Sequence, residues 1–212
     1  MTSRPKRNPR AAAALRVREA AANKLAINNA KQIGLACHAY HDAQRGLPSP
    51  RINPQADLSW RVSVLPHLEQ ERMFKQFNAM QSWDGPNNRP LTDKMPLVFA
   101  MQAGETSPQT KLQYFTGPNT LFPDANARPR LTDITDGTSN TFLFAEAASS
   151  VPWAKAADMS VGPGALPLPD GKFIACMCDG HVRVVHRRNT TDDVFRLVIN
   201  PTDGQGLRDW GD

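Results

Sequence analysis

The stretch Arg16–Asp42, RVREAAANKLAINNAKQIGLACHAYHD, constrains this chain more than any other. Ala26, Ala30, Ile33, Cys37 and Tyr40 recur at intervals of four, three, four and three, which sets them in one stripe along an α-helix. Asn23, Lys24, Asn28, Lys31 and Gln32 fall on the other faces, and Gly46 with Pro48 stops the helix. A helix of about 27 residues is roughly 40 Å long, more than a small compact domain needs to bury. The stretch predicts a spine, with Ile33 at the centre of its buried stripe and Tyr40 near its end, against which later strands pack.

Residues 43–57 read as a Pro-containing connection. Ser59 suits the N-cap of a short helix through Leu65, while alternation of Leu58, Trp60, Val62 and Val64 fits a strand as well. Pro66 opens a second helix over 66–79, with Leu68, Met73, Phe74 and Phe77 on its apolar side. Trp83 to Asn88, WDGPNN, is a dense turn cluster. Strands are predicted at Leu97–Met101, Leu112–Thr116 and Thr141–Ala147, with loops at 117–130 and 148–170. Lys172–Cys178 and His181–His186 read as strands joined by Asp179-Gly180, a two-residue hairpin signal. Thr190 or Thr191 caps a last short helix that Asp192 and Asp193 open and Pro201 ends. Helices first, strands later and no βαβ alternation predict an α+β fold with an antiparallel sheet. The expected organisation is a basic disordered arm at 1–15 and a single domain at 16–212.

Much of the net charge of +5 sits in the first eighteen residues, where Arg4, Lys6, Arg7, Arg10, Arg16 and Arg18 face no acid. Such an arm suits weak, non-specific contact with nucleic acid or an acidic surface, or a solvated tail. No run of about 18 apolar residues is present, so no membrane span is expected, and the chain as written reads as cytoplasmic. Three cysteines, Cys37, Cys176 and Cys178, give no disulfide framework. The last two share one face of a strand and read as small buried hydrophobes.

Six motifs occur in order: REAA at 18–21, NNAKQIGLACHAYHD at 28–42, LSWRVSVLPHLEQ at 58–70, TDGTSNT at 135–141, VPW at 151–153 and DGHVRVV at 179–185. The set resembles the large planctomycete-type family of pilin-like proteins of unknown function. Its members carry a prepilin-type processing-associated domain with a His, nine residues, then Asp-Gly, and the family is also labelled solute-binding-like. The resemblance implies a type IV pilin or pseudopilin-like architecture, a structural or assembly role, protein partners or self-assembly, and a cell-envelope location if a prepilin segment precedes this chain. There are departures. MTSRPKRNPRAAAA stands where the family has a cleavage site and an apolar helix half. Pro169 stands where the histidine would fall. Ala26 and Ala100-Met101 stand where the resemblance places a cysteine pair.

Asp133, Asp136, Ser139 and Asn140 offer oxygen ligands to calcium, or form an Asx-type turn about Gly137 that feeds a strand. No other cofactor is expected. His38, His41 and Cys37 could clamp zinc only with ligands from elsewhere. The chain contains no G-x-S-x-G, no H-E-x-x-H and no P-loop. Trp60, Trp83, Trp153 and Trp210 read as core or loop anchors, and Trp83 and Trp153, in polar turns, are the residues a small-ligand or glycan site would use. The expectation is a non-enzymatic pilin-like structural or interaction module, with small-ligand or glycan binding through loop aromatics as the alternative.

Overall fold

The computed structural model describes residues 9–102 and 104–205. Residues 1–8 of the expected basic arm, and Trp210, lie outside the described residues. Helix α1 runs from Pro9 to Gln44, 36 residues, so the spine begins seven residues before the expected Arg16. The predicted stripe is in place. Ala26, Ala30, Ile33 and Cys37 are buried, and Tyr40 packs at the edge of the same core. No helix among the described residues is long and apolar enough to cross a membrane.

A small hairpin follows, β1 (Arg51–Asn53) with β2 (Ala56–Ser59). Ser59 then caps α2 (Trp60–Ser63), its hydroxyl accepting from the Arg61 N–H. Every residue of α2 is buried, Arg61 and Ser63 included, so the apolar–polar alternation that also fitted a strand does not separate an inner face from an outer one here. The helix expected over 66–79 is broken. A 3-10 turn at Leu65–Leu68 ends on Glu69 at φ +60°, and only Glu71–Phe74 (α3) is α-helical. Another single turn, α4 (Arg89–Thr92), follows the WDGPNN cluster. The strand expected at Leu97–Met101 is a 3-10 turn at Leu97–Phe99. It buries Phe99 and leaves Leu97 75% exposed.

The remaining strands are β3 (Gln109–Gln113), β4 (Phe115–Thr116), β5 (Phe142–Pro152), β6 (Met159–Ser160), β7 (Lys172–Met177) and β8 (Val182–His186). They form an antiparallel sheet in the order β3-β5-β7-β8, with β4 and β6 as a parallel pair beside it. Strand β5 runs to Pro152, past the expected Ala147, because Thr110 and Gln109 pair with Val151 and Pro152. Thr191 is the N-cap of the last helix, α5 (Asp192–Ile199). The architecture is therefore α+β, with a long N-terminal helix and antiparallel sheets.

Strand β7 shows how the layers are held. Ile174, Cys176 and Cys178 face the core shared with α1. Phe173, Ala175 and Met177 face a second core closed by Phe195, Val198 and Ile199 of α5. The period-two alternation is invisible in the sequence because both faces are apolar. Helix and strand approach so closely at Gly34 that a Cβ there would sit 2.8 Å from the Cys176 Sγ. At the other end of the stripe, Asn29 donates to the carbonyls of Leu97 and Ala100. Ala26 and Met101 line one recess there, so a polar side chain ties helix to loop near the two positions where the resemblance places a cysteine pair.

The β7-β8 connection differs from the two-residue hairpin expected from Asp179-Gly180. Gly180 N–H donates to Met177 O, and Met177 N–H to His181 O. Three residues, Cys178-Asp179-Gly180, make the turn, with Gly180 at φ +88°. That is a three-residue loop with glycine at the left-handed position.

Candidate functional site

The most distinctive chemistry lies inside the domain, where the sequence was read only as core. Helix α2 carries Arg61 into the interior with its side chain fully buried. Its Nη2 meets Asp158 Oδ1 at 3.0 Å, and the Asp158 side chain is only 3% exposed. Nε and Nη2 both donate to Leu112 O, at 2.9 and 2.6 Å, and Nη1 donates to Ser59 Oγ at 2.7 Å. Asp158 Oδ1 also accepts from Trp60 Nε1 at 3.2 Å and from the Tyr114 N–H at 2.9 Å. The Trp60 ring stacks on Tyr114, and Tyr114 on Phe122, with centroids 4.1 Å apart in each pair. A buried charge survives only when paired and hydrogen-bonded, and this pair satisfies both conditions. Burial pushes the Asp158 carboxyl upward while Arg61 pulls it back. Arg61 keeps its proton in any protein environment, so the two stand as an ion pair.

The predicted aromatic pair separates. Trp153 is fully buried. Its Nε1 donates to Thr92 O at 2.7 Å, Phe99 stacks on its ring, and Phe77 meets it edge-on. It anchors the core and offers no face to a ligand, because the strand continues to Pro152 and carries it inward. Trp83 sits half-buried at the edge of that core, its N–H held by Asp57 O. The Lys155 ammonium lies 5.9 Å from the Trp83 ring centroid.

Of the four proposed calcium ligands, Asp133 and Asp136 have carboxylate oxygens engaged with backbone N–H groups. Asp133 turns back on Arg130, accepting from its N–H at 2.8 Å. That bond holds the Asp133 carboxyl below the ordinary carboxylate range. Asp136 accepts from the N–H groups of Asp203 and Gly204, Asn140 donates its amide to Asp136 O, and Ser139 is exposed. Gly137, at φ +95°, makes the turn into β5. Asp179 accepts from the His181 N–H and meets its Nδ1 at 2.6 Å.

The zinc set on the spine does not assemble: among the described residues no three His, Cys, Asp or Glu side chains are placed to share a metal. Cys37 is buried beside the Tyr114 hydroxyl, 3.8 Å away, and burial pushes its thiol up to about 12. Cys176 and Cys178 are buried and free as well, and burial raises both thiols.

Sequence reasoning passed over Arg61, Asp158 and Tyr114. One signal was available: a lone arginine inside the apolar run LSWRVSVL must find a partner if the run is buried. Nothing in the sequence says that the partner lies 97 positions later.

No curated protein and no solved structure matches the chain. The family match ends at Gly117-Pro118, so the buried arginine and Tyr114 fall inside it, while Asp158 and the TDGTSNT, VPW and DGHVRVV motifs fall beyond it. Residues 16–118 match the model of an uncharacterised family, SBP_bac_10, described as "Protein of unknown function (DUF1559)".

Proposed function

We propose that this chain is a non-enzymatic, pilin-like structural or interaction module, in which the exposed face of helix α1, from its early part to Leu35, is the contact element. The observation that carries the reading is where α1 becomes buried. Val17, Ala20 and Ala21 are exposed, and the first buried side chain described along the helix is Ala26. The segment 9–21 amounts to roughly 20 Å of helix. Val17 and Leu35, both largely exposed, lie about five turns apart and so on one side of the helix. An apolar position repeated on an exposed helix face is a surface for another helix. The enclosure of all three thiols is in keeping with this reading. It also fits the resemblance to pilin-like proteins.

Sedimentation velocity of the full chain over a range of concentrations tests it. Self-association that weakens in the Val17→Glu/Leu35→Glu variant is expected. A monomer at every concentration, or turnover in a hydrolase and transferase panel that depends on one residue, would overturn it.

A second reading, small-ligand or glycan binding, is favoured only by the half-exposed Trp83 beneath Lys155. It predicts a ligand-dependent rise in melting temperature that Trp83→Ala removes.

A further inference from the structure

Helix α5 and the segment that follows β6 leave a recess of about 360 Å³ between them. Pro118, Val161, Pro163 and Leu197 form its apolar walls, and Arg196 and Asp203 are its charged lining. Arg196 donates to Gly164 O and, among the described residues, has no carboxylate partner. Asp203 stands just past the end of α5, and the backbone around it is pinned. The Thr135 and Asp136 N–H groups both donate to Pro201 O. The Asp136 carboxylate accepts from the N–H groups of Asp203 and Gly204, at 2.8 and 2.9 Å. Gly204, at φ +76°, turns the chain there, so whatever follows sets out from the lip of the recess.

Segment 206–212, GLRDWGD, lies outside the described residues. Its one aromatic, Trp210, is five positions past Gln205, at most roughly 18 Å along the chain. Asp203 itself lines the recess, so the recess falls within that reach. The charges are complementary as well. Arg208 and Asp209 directly precede Trp210, and the recess presents Asp203 and Arg196. Burying an indole removes about 150–250 Å² from water, and a guanidinium stacked on its ring adds attraction. A short tether holds the two at an effective concentration on the order of 1 mM, so even weak intrinsic affinity fills the site.

We infer that this recess is the docking site for the chain's own segment 206–212. The Trp210 indole lies against Val161, Pro163 and Leu197, and Asp209 pairs with Arg196. The clasp that Asp136 makes on residues 203–204 holds the root of the segment beside the site. Docked in this way, the segment covers the apolar walls and ties α5 to the loop after β6.

NMR of the full chain tests the inference. Nuclear Overhauser contacts from the Trp210 ring protons to the methyl groups of Val161 and Leu197 are expected, at the same strength over a range of protein concentrations. Trp210→Ala should remove them and shift amides only around 117–119, 161–164 and 196–200. The peptide GLRDWGD, titrated into the Trp210→Ala chain, should shift those same amides saturably. Its Kd should lie below about 1 mM, the effective concentration that the tether supplies. The same peptide with alanine in place of tryptophan should give no shift. The inference is overturned if the Trp210 ring makes no contact with either methyl-bearing side chain, if the Trp210→Ala shifts fall elsewhere, or if the peptide gives no saturable shift. It is overturned too if the contacts arise only between differently labelled copies, which would make a second chain the occupant.

Discussion

Replacing the two members of the buried ion pair, singly and together, is the most demanding test of how this domain is held. Asp158→Ala leaves two buried donors, Trp60 Nε1 and the Tyr114 N–H, without an acceptor. It also leaves the Arg61 guanidinium without its counter-charge. Each orphaned donor costs about 1–3 kcal/mol, and removing one partner of a buried pair costs about 3–5 kcal/mol in all. Arg61→Leu deletes the two bonds to Leu112 O and the bond to Ser59 Oγ, and strands Asp158 as a buried anion. A loss of about 3–5 kcal/mol is expected again. Together the single losses, about 6–10 kcal/mol, rival the whole stability of a domain, about 5–15 kcal/mol.

The double variant has no unpaired charge. What remains is a set of neutral orphaned groups, so it should be less destabilised than the sum by about 2–3 kcal/mol. Urea unfolding followed by tryptophan fluorescence reads all four corners of the cycle, since Trp60 stacks on Tyr114 beside the pair. Additivity within about 0.5 kcal/mol would refute the reasoning, because it would mean that the two charges do not sense each other.

Three further outcomes are expected. Ile33→Asp places an unpaired carboxylate at a position with no solvent exposure, a penalty of several kcal/mol, and should abolish cooperative unfolding; Lys31→Asp, exposed on the next face, should leave the melting temperature nearly unchanged. The Glu146 carboxyl is raised above its ordinary value of 4.5, first by burial and against the pull of Lys111. A raised folded-state value favours the fold below the unfolded value and is lost as pH rises through the folded one, so wild type should lose stability as pH climbs above about 4.5 while Glu146→Gln does not, and the two curves should converge in more acid solution. Cys37, Cys176 and Cys178 are all buried with raised thiols, so a thiol reagent should label none of them in the native state at neutral pH and all three in denaturant.

The spine was legible because one face of α1 is polar and the other small and apolar, so its 3.6-residue period shows through. The last helix was legible from its Thr-Asp-Asp opening, and β7 and β8 from their flanking turn. Two kinds of element were not. A segment apolar on both sides, such as β7, carries no polar face to reveal a period, and in α2 the polar Arg61 and Ser63 are themselves buried, so alternation misleads. Segments dominated by proline or by a single left-handed residue, such as 65–74 with Glu69, break where sequence pattern sees one apolar side. The hairpin loop was misjudged by one residue because Asp-Gly serves a three-residue turn as readily as a two-residue one. Trp153 is the core anchor that one of its two readings gave; its use as a ligand face fails because pairing with β3 extends the strand to Pro152 and leads the side chain inward. The ion pair was out of reach for a different reason: burial of Arg61 could be suspected locally, but its partner is fixed only by the path of the chain between β2 and β6.

The close seating of Gly34 against Cys176 has a bearing on how the chain is made. Ribosomes add about 5–20 residues each second, and the strand that covers the helix arrives about 140 positions after Gly34, so the interval is on the order of 10 s. For that time the stripe Ala26, Ala30, Ile33 and Cys37 has no sheet to lie on. The helix stripe thus waits for the strand that covers it, and the same applies to Arg61, whose carboxylate is synthesised long after it. Nascent chains stalled before β7 should therefore engage holdase chaperones and resist release, and release should follow once Cys178 has left the exit tunnel.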